Sequence, residues 1–343
     1  MSEHLLDVQN LRVSFDTYAG EVQAVRGVSF YIDKGETLAI VGESGCGKSV
    51  SIQTVMGLLP MPPARIKEGH IYYEGKDLTT LTDKQMENYR GKEFSMIFQD
   101  SMTSLNPTMR VGRQMVEAIL VHQKISREEA REHAISLLGK VGLPEPEKVF
   151  KRYPHTMSGG QRQRVMIAMA MACNPKILFA DEPTTALDVT MQAQILDLMN
   201  SLKKEMVTSI LLITHDLGVV AKMADRIAVM YAGKVVEYGD ARQIFYNPCH
   251  PYTWGLLGAM PNLIQEVKSE LYAIPGTPPD LYAPPKGCAR CPYAMGACLK
   301  ADPPEYTCSD GHISRCWLMD KRAKEVTPPD GVPTLPRGGK EHE

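Results

Sequence analysis

Eight residues, Gly42-Glu43-Ser44-Gly45-Cys46-Gly47-Lys48-Ser49, fit the pattern G-x-x-x-x-G-K-[ST]. The chemistry of that spacing is phosphate binding. Glycines let the backbone curl with its N–H groups pointing inward, where a Cβ would obstruct the turn. The lysine then reaches terminal phosphates, and the hydroxyl of the last residue ligates Mg²⁺. The phosphate-facing set is Gly42, Ser44, Gly45, Cys46, Gly47, Lys48, Ser49 and Val50. A second carrier of chemistry is the adjacent pair Asp181-Glu182, which closes the short apolar run Ile177-Leu178-Phe179-Ala180. Two carboxylates at a buried strand end are costly unless they bind something. Asp181 can complete a Mg²⁺ shell with Ser49, and Glu182 can orient or deprotonate an attacking water. Ser158-Gly159-Gly160-Gln161 opens a helix and offers a second place to dock phosphate. His215 ends another apolar run and can reach a phosphate or cap the following helix.

The elements around these residues are those the chemistry needs. Thr37-Leu38-Ala39-Ile40-Val41 reads as a buried strand leading into the glycine loop. Behind it, Ile52, Val55, Met56 and Leu59 form one apolar face of a helix whose positive dipole end meets the phosphate. Residues 5–32 read as short antiparallel strands, and in that stretch Phe15 and Tyr18 are candidates to stack on a base. Phe94–Phe98 is a strand ending at Gln99, followed by a loop in which Met102, Leu105 and Pro107 are expected to be exposed. Helical periodicity runs from Val111 to Val141, giving an all-helical insertion over about residues 100–165. Strands alternating with helices as far as Thr214 argue a parallel α/β sheet, closed by a hairpin through Ala232-Gly233.

Length and composition bound the rest. A chain of 343 residues, 43% hydrophobic and 23% charged, has the make-up of a soluble protein with a sizeable core. A net charge of −2 gives no reason to expect nucleic acid. No apolar run reaches the ~18 residues of a membrane span, and the N-terminus lacks a secretory pattern, so a cytoplasmic protein that meets membrane only through partners is expected. Of eight cysteines, Cys46, Cys173 and Cys249 stand alone, while Cys288, Cys291, Cys298, Cys308 and Cys316 crowd together in a Pro-rich stretch. In a cytosolic chain such a cluster reads as a metal or iron–sulfur site rather than a disulfide framework. On spacing alone, a Cys₄ zinc site and a [4Fe–4S] cluster both stand.

Taken together, Gly42–Ser49, Gln99, Met157–Gln161, Asp181-Glu182, Thr185–Asp188 and His215 resemble, in order and spacing, an ABC-transporter nucleotide-binding subunit over about residues 5–245. The resemblance implies a P-loop ABC ATPase cassette: a RecA-like parallel core, an antiparallel β subdomain and a helical subdomain. It makes Gln99 the residue that senses Mg²⁺ and the membrane partner, Ser158-Gly159-Gly160 the signature turn, and Asp188 part of the D-loop. Glu182, His215, Lys48 and Gln99 become the catalytic set, with ATP and Mg²⁺ bound. Gln99–Pro107 and Asn247–Thr253 are similar to the oligopeptide/dipeptide importer branch, some relatives of which carry nickel. That branch implies two membrane-spanning permease subunits, a second ATPase subunit (self or paralogue) in a head-to-tail nucleotide sandwich, and an external binding protein. The chain would then lie at the cytoplasmic face of the cell membrane, with membrane contacts through the loop after Gln99 and the helical insertion. The same resemblance favours a [4Fe–4S] cluster on Cys288, Cys291, Cys298 and Cys316, with Cys308 as the alternative ligand and zinc as the chemical rival. The expected organisation is a cassette over 1–245, a Cys-rich extension over 246–325 and a disordered tail over 326–343. The cluster is expected to be structural, since nothing in the sequence places it near the nucleotide.

Overall fold

In the computed structural model, residues 4–99, 104–185, 187–260, 274–285, 287–288, 290–329 and 332 are described. In chain order, β1 (Leu6–Thr17) and β2 (Gly20–Ile32) precede β3 (Thr37–Val41) and α1 (Lys48–Val55). Next come β4 (Ala64–Tyr73), β5 (Lys76–Asp77), α2 (Asp83–Met86) and β6 (Phe94–Ile97). Four helices follow: α3 (Val111–His122), α4 (Arg127–Lys140), α5 (Pro146–Lys151) and α6 (Gly159–Met171). The chain continues through β7 (Ile177–Asp181), α7 (Val189–Met206), β8 (Ser209–Thr214), α8 (Leu217–Met223), β9 (Arg226–Tyr231) and β10 (Lys234–Asp240). Last are α9 (Ala241–Tyr246), α10 (Pro251–Gly258), α11 (Gly296–Lys300), β11 (Tyr306–Ser309) and β12 (His312–Ser314).

Two sheets result. One is antiparallel, ordered β2-β1-β4-β5; the other runs β11-β12-β10-β9-β3-β8-β7-β6, with β9, β3, β8, β7 and β6 parallel. The central strands are buried on both faces, and their alternation splits them between two cores. Leu38, Ile40, Phe179, Leu211 and Ile213 pack toward the antiparallel sheet and α1. Ala39, Val41, Leu178, Ala180, Ile210 and Leu212 pack toward α3, α4, α6 and α7. Each fully buried Leu, Ile or Phe contributes roughly 1.5–3 kcal/mol, so this three-layer arrangement fixes the strand ends firmly. The helical insertion is the packed group α3–α5, which joins the second core.

Three expectations are corrected. The short segments expected over residues 5–32 merge into two long strands, bent where Asn10 (φ 46°) and Gly27 (φ 87°) take left-handed backbone and the register shifts. The P-loop helix stops at Val55 because Gly57, at φ 63°, turns the chain; Leu59 is buried beyond the helix rather than on it. Leu105 is only 1% exposed and belongs to the core between sheet and helices, so the loop offers Pro107 but not Leu105 to solvent; Met102 lies outside the described residues. The apolar residue exposed beside Gln99 is instead Phe98.

The expected hairpin through Ala232 and Gly233 is present. Both residues have positive φ, 48° and 78°, as a tight two-residue turn between twisted strands requires. Beyond it, β12 pairs antiparallel with β10, so the C-terminal hairpin extends the cassette's own sheet. Among the described residues, no helix is long and apolar enough to cross a membrane.

Candidate active site

Register assembles the site. Val41 pairs with Thr214 and Asp181 with Ile213, so the residues just past β3, β8 and β7 emerge together at the strands' carboxyl ends. Those residues are Gly42, His215 and Glu182. Ligands of open α/β sheets bind in that crevice.

The loop after β3 is shaped by glycine. At Gly42 (φ 152°) a Cβ would lie 2.2 Å from the Met230 carbonyl oxygen, and at Gly47 (φ 100°) 2.3 Å from that of Ala24. Only glycine fits either place. Ser44 and Gly45 form the exposed crest, and a Cβ at Gly45 would meet nothing within 4 Å. Beneath the crest Lys48 is 6% exposed and donates from Nζ to the carbonyl oxygens of Gly42 (2.7 Å) and Glu43 (2.8 Å). A buried ammonium satisfied by neutral groups, under an open glycine cradle, suits an anionic ligand. Cys46 is buried with its thiol 3.8 Å from Lys48 Nζ, and burial pushes that thiol up from its ordinary range. Val50 packs against the core beneath the helix start.

Ser49 Oγ donates to Asp181 Oδ1 at 3.1 Å. Burial raises the Asp181 carboxyl, with Glu182 adding to the rise and Ser49 opposing it. A cation between Ser49 and Asp181 would reverse that shift, so these two residues fit Mg²⁺. Glu182 takes left-handed backbone (φ 48°), and its N–H donates to the Ile213 carbonyl at 2.9 Å. Three donors converge on its carboxylate: Gln99 Nε2 at 3.0 Å and Thr185 Oγ1 at 2.9 Å on Oε2, and His215 Nδ1 at 3.0 Å from Oε1. Burial raises this carboxyl, but the bonds from His215 and Thr185 outweigh it and hold it below the usual range. The two adjacent acids are therefore driven apart. Asp181 is buried beside Ser49, whereas Glu182 is held low and oriented by its donors, an arrangement that suits a general base.

Other expected residues sit elsewhere. Ser158 caps α6, accepting from the Gln161 N–H while Gln161 Oε1 accepts from the Ser158 N–H, a capping box. Gly160 is pressed against Met191, where a Cβ would be 2.7 Å from Sδ, while Gly159 faces open space. Asp188 caps α7 by accepting from the Met191 N–H at 2.8 Å. Phe15 is partly buried in the core under the antiparallel sheet, whereas Tyr18 is fully exposed at the turn between β1 and β2.

With this geometry in view, the comparisons decide the family. The ABC transporter pattern matches residues 25–185, and the oligopeptide/dipeptide transporter C-terminal region matches residues 236–298. The oligopeptide transport ATP-binding protein OppD of Bacillus subtilis is 60% identical, over 96% of this chain and 92% of that protein. The dipeptide transport ATP-binding protein DppD of the same organism is 57% identical, over 94% of this chain and 97% of that protein. This chain belongs to the oligopeptide/dipeptide ABC-transporter ATP-binding family. Among solved structures, the dimeric post-hydrolysis state of the ATP-binding cassette MJ0796 bound to ADP and Pi superposes with a TM-score of 0.62. It is 28% identical, over 69% of this chain and 99% of that one. CbiO1 from Clostridium perfringens, part of the ABC transporter complex cbiONQ, gives a TM-score of 0.60 at 28% identity, over 71% of this chain and 91% of that one. The cassette is thus an ABC ATPase, using ATP and Mg²⁺.

Sequence reasoning missed several contacts of this ATPase. Thr185 was legible only as part of a motif, yet it holds Glu182 directly. The P-loop residue Glu43 accepts from Tyr252 Oη and from Arg290, which stands between Cys288 and Cys291. The Glu43 N–H also donates to Tyr252 Oη at 2.9 Å. The Cys-rich extension therefore touches the nucleotide loop, contrary to the expectation that nothing places it nearby. Spacing could not reveal this, because Glu43 and Arg290 are far apart in sequence.

Proposed function

We propose that this chain is the ATP-hydrolysing subunit of a peptide importer, peripheral to the cytoplasmic face of the cell membrane. Its hydrolysis would drive uptake of di- or oligopeptides through two permease subunits fed by an external binding protein. The observation that carries the chemistry is Glu182, ionised and held by Gln99, Thr185 and His215 beside the Ser49–Asp181 pair. Bound Mg²⁺ would supply positive charge at the phosphate oxygens, held by Ser49 and Asp181 with Gln99 nearby. Lys48 exchanges its two carbonyl partners for phosphate, Glu182 orients the water and takes its proton, and His215 fixes the Glu182 carboxylate. Tyr18, free at its turn, is the aromatic offered to the adenine. The Ser158 turn hydrogen-bonds with its own helix, and the open space in front of half-buried Gly159 suits phosphate from a second subunit's nucleotide. A head-to-tail pair of cassettes follows from that arrangement, and the dimeric ATP-binding cassette MJ0796 has a related fold.

Replacing Glu182 by glutamine keeps shape and removes the base, so steady-state ATPase of the assembled transporter should fall by about 10²–10⁴-fold with nucleotide binding retained. Lys48→Ala should instead weaken nucleotide binding by roughly tenfold to a hundredfold. Unchanged turnover in the Glu182 variant would remove it from the role, and loss of ATP-driven peptide uptake into proteoliposomes tests the cargo.

The same reading gives the extension a [4Fe–4S] cluster on Cys288, Cys291, Cys298 and Cys316. The four thiols act on one another electrostatically in every pairing, and burial with those neighbours pushes Cys316 up to about 12 and Cys288 higher. A single zinc ion would draw four sulfurs to roughly 3.8 Å from each other, from Zn–S bonds of ~2.3 Å. Zinc is the chemical rival at these four thiols, and metal content separates the two. Cys308 lies instead with Cys249 and His312. Anaerobically purified protein should be brown, with iron and labile sulfide in equal amounts; colourless protein holding zinc at these cysteines would overturn the cluster.

A further inference from the structure

The sequence left Cys249 alone and Cys308 as a spare ligand. Folding brings both beside His312: the two sulfurs and a ring nitrogen of His312 lie within 4.8 Å of one another. The three come from separate elements, Cys249 just before α10, Cys308 on β11 and His312 at the start of β12. His312 is 0% exposed. Its Nε2 is engaged by Glu237 Oε1 at 2.8 Å, while its Nδ1 is buried without any hydrogen-bond partner. A buried ring nitrogen left unpaired costs stability unless something binds it.

We propose that Cys249 Sγ, Cys308 Sγ and His312 Nδ1 bind one zinc ion, distinct from the four-cysteine site. The donor set is the argument. Two thiolates and an imidazole are zinc ligands and poor ligands for magnesium or calcium. The supporting shell is also in place. A metal-bound histidine ordinarily donates its other ring N–H to a carboxylate, and Glu237 performs that service for His312. Glu237 is itself fixed, accepting from the backbone N–H groups of Cys249 (2.5 Å) and His250 (3.1 Å) and from Thr253 Oγ1. Met319 Sδ, 3.8 Å from Cys308 Sγ, gives the site a soft, apolar wall. Zinc takes four ligands, so a water or another donor would fill the fourth position. Its consequence is mechanical. The ion would fasten the β11–β12 hairpin to the segment entering α10, a staple for the small, cysteine-rich end of the chain.

Cobalt(II), which takes zinc's tetrahedral thiolate sites and colours them, tests this. The full-length Cys298→Ser chain, with its four-cysteine site broken, should bind one equivalent of cobalt with thiolate-to-cobalt charge transfer and intense ligand-field bands. Zinc should discharge that colour. Adding Cys308→Ser should abolish the spectrum, and adding Glu237→Gln should weaken cobalt binding by about 10–100-fold. Where Cys308→Ser fails to fold, native alkylation of the Cys298→Ser chain gives the second readout: zinc should slow modification of Cys249 and Cys308 together. The proposal is overturned if cobalt colour survives the Cys308 substitution in folded protein. It is equally overturned if the Cys298→Ser chain binds no cobalt, or if zinc leaves alkylation of both cysteines unchanged.

Discussion

At the scale of single residues, the active site separates two adjacent carboxylates by environment. Asp181 ends β7 buried and is raised by that burial, whereas Glu182 turns out through left-handed backbone and meets three donors. If Glu182 is the base proposed above, turnover needs it ionised, and activity should fall as pH drops through its pKa. Donors that lower this pKa move the acid limb to lower pH. Thr185→Val deletes one such donor without changing shape, so the acid limb of kcat/KM should move to higher pH. An unmoved limb would show that Thr185 does not tune the base. The aromatic pair reads differently at this scale. Alternation along β1 puts Phe15 against the core, and only Tyr18, beyond the strand's end, keeps a free face.

Elements decide which side chains are available at all. The loop after Gln99 reads in sequence as a hydrophobic contact surface, because Leu105 follows a catalytic strand and precedes helices. Its burial shows that the side chain instead pins the loop to the core shared by Ile97, Val111 and Met115. Leu105→Ala should therefore lower folding stability by about 2–5 kcal/mol, measured by denaturant unfolding of the isolated chain. Phe98→Ser, at a residue 44% exposed beside Gln99, should leave stability nearly unchanged. Equal unfolding midpoints for Leu105→Ala and the parent chain would return Leu105 to the surface. The strand ends, by contrast, follow directly from pattern. Uninterrupted apolar runs at 38–41, 177–180 and 210–213 have the length and composition of strands buried on both faces, and they lie in such strands.

Across the whole molecule, the extension and the nucleotide loop are one structure. Arg290 pairs with Glu43, and its guanidinium lies over the rings of Tyr231 (5.5 Å) and Tyr252 (6.0 Å). The same arginine stands between two of the proposed cluster ligands, so loss of order around Cys288 and Cys291 reaches the P-loop through one side chain. Arg290→Ala should weaken nucleotide binding a few-fold, on the order of 1 kcal/mol for a partly screened ion pair. Equilibrium titration measures it, and identical affinities would mean that the contact is a tether without effect on the loop. Glu237 works in the same long-range fashion, joining β10 to α10 through Thr253 and to β12 through His312.

What the chain's local pattern announces is a glycine-rich loop that suits phosphate, two adjacent acids at the end of a buried strand and a crowd of cysteines. It can do so because each of those is local. Glycine's freedom, a lysine's reach and an apolar run ending in two acids lie within a few residues of one another along the chain. Periodicity likewise gave the alternating strands and helices, and hence the parallel sheet. Only the tertiary structure decided the assignments that depend on register across strands and on contacts between distant segments. It set Gln99, Thr185 and His215 around one carboxylate, sent Leu105 inward and placed Cys308 beside Cys249 and His312. It also brought Arg290 against the nucleotide loop. Such contacts leave no trace in spacing, because what selects them is the packing of whole elements and the need of each buried polar atom for a partner.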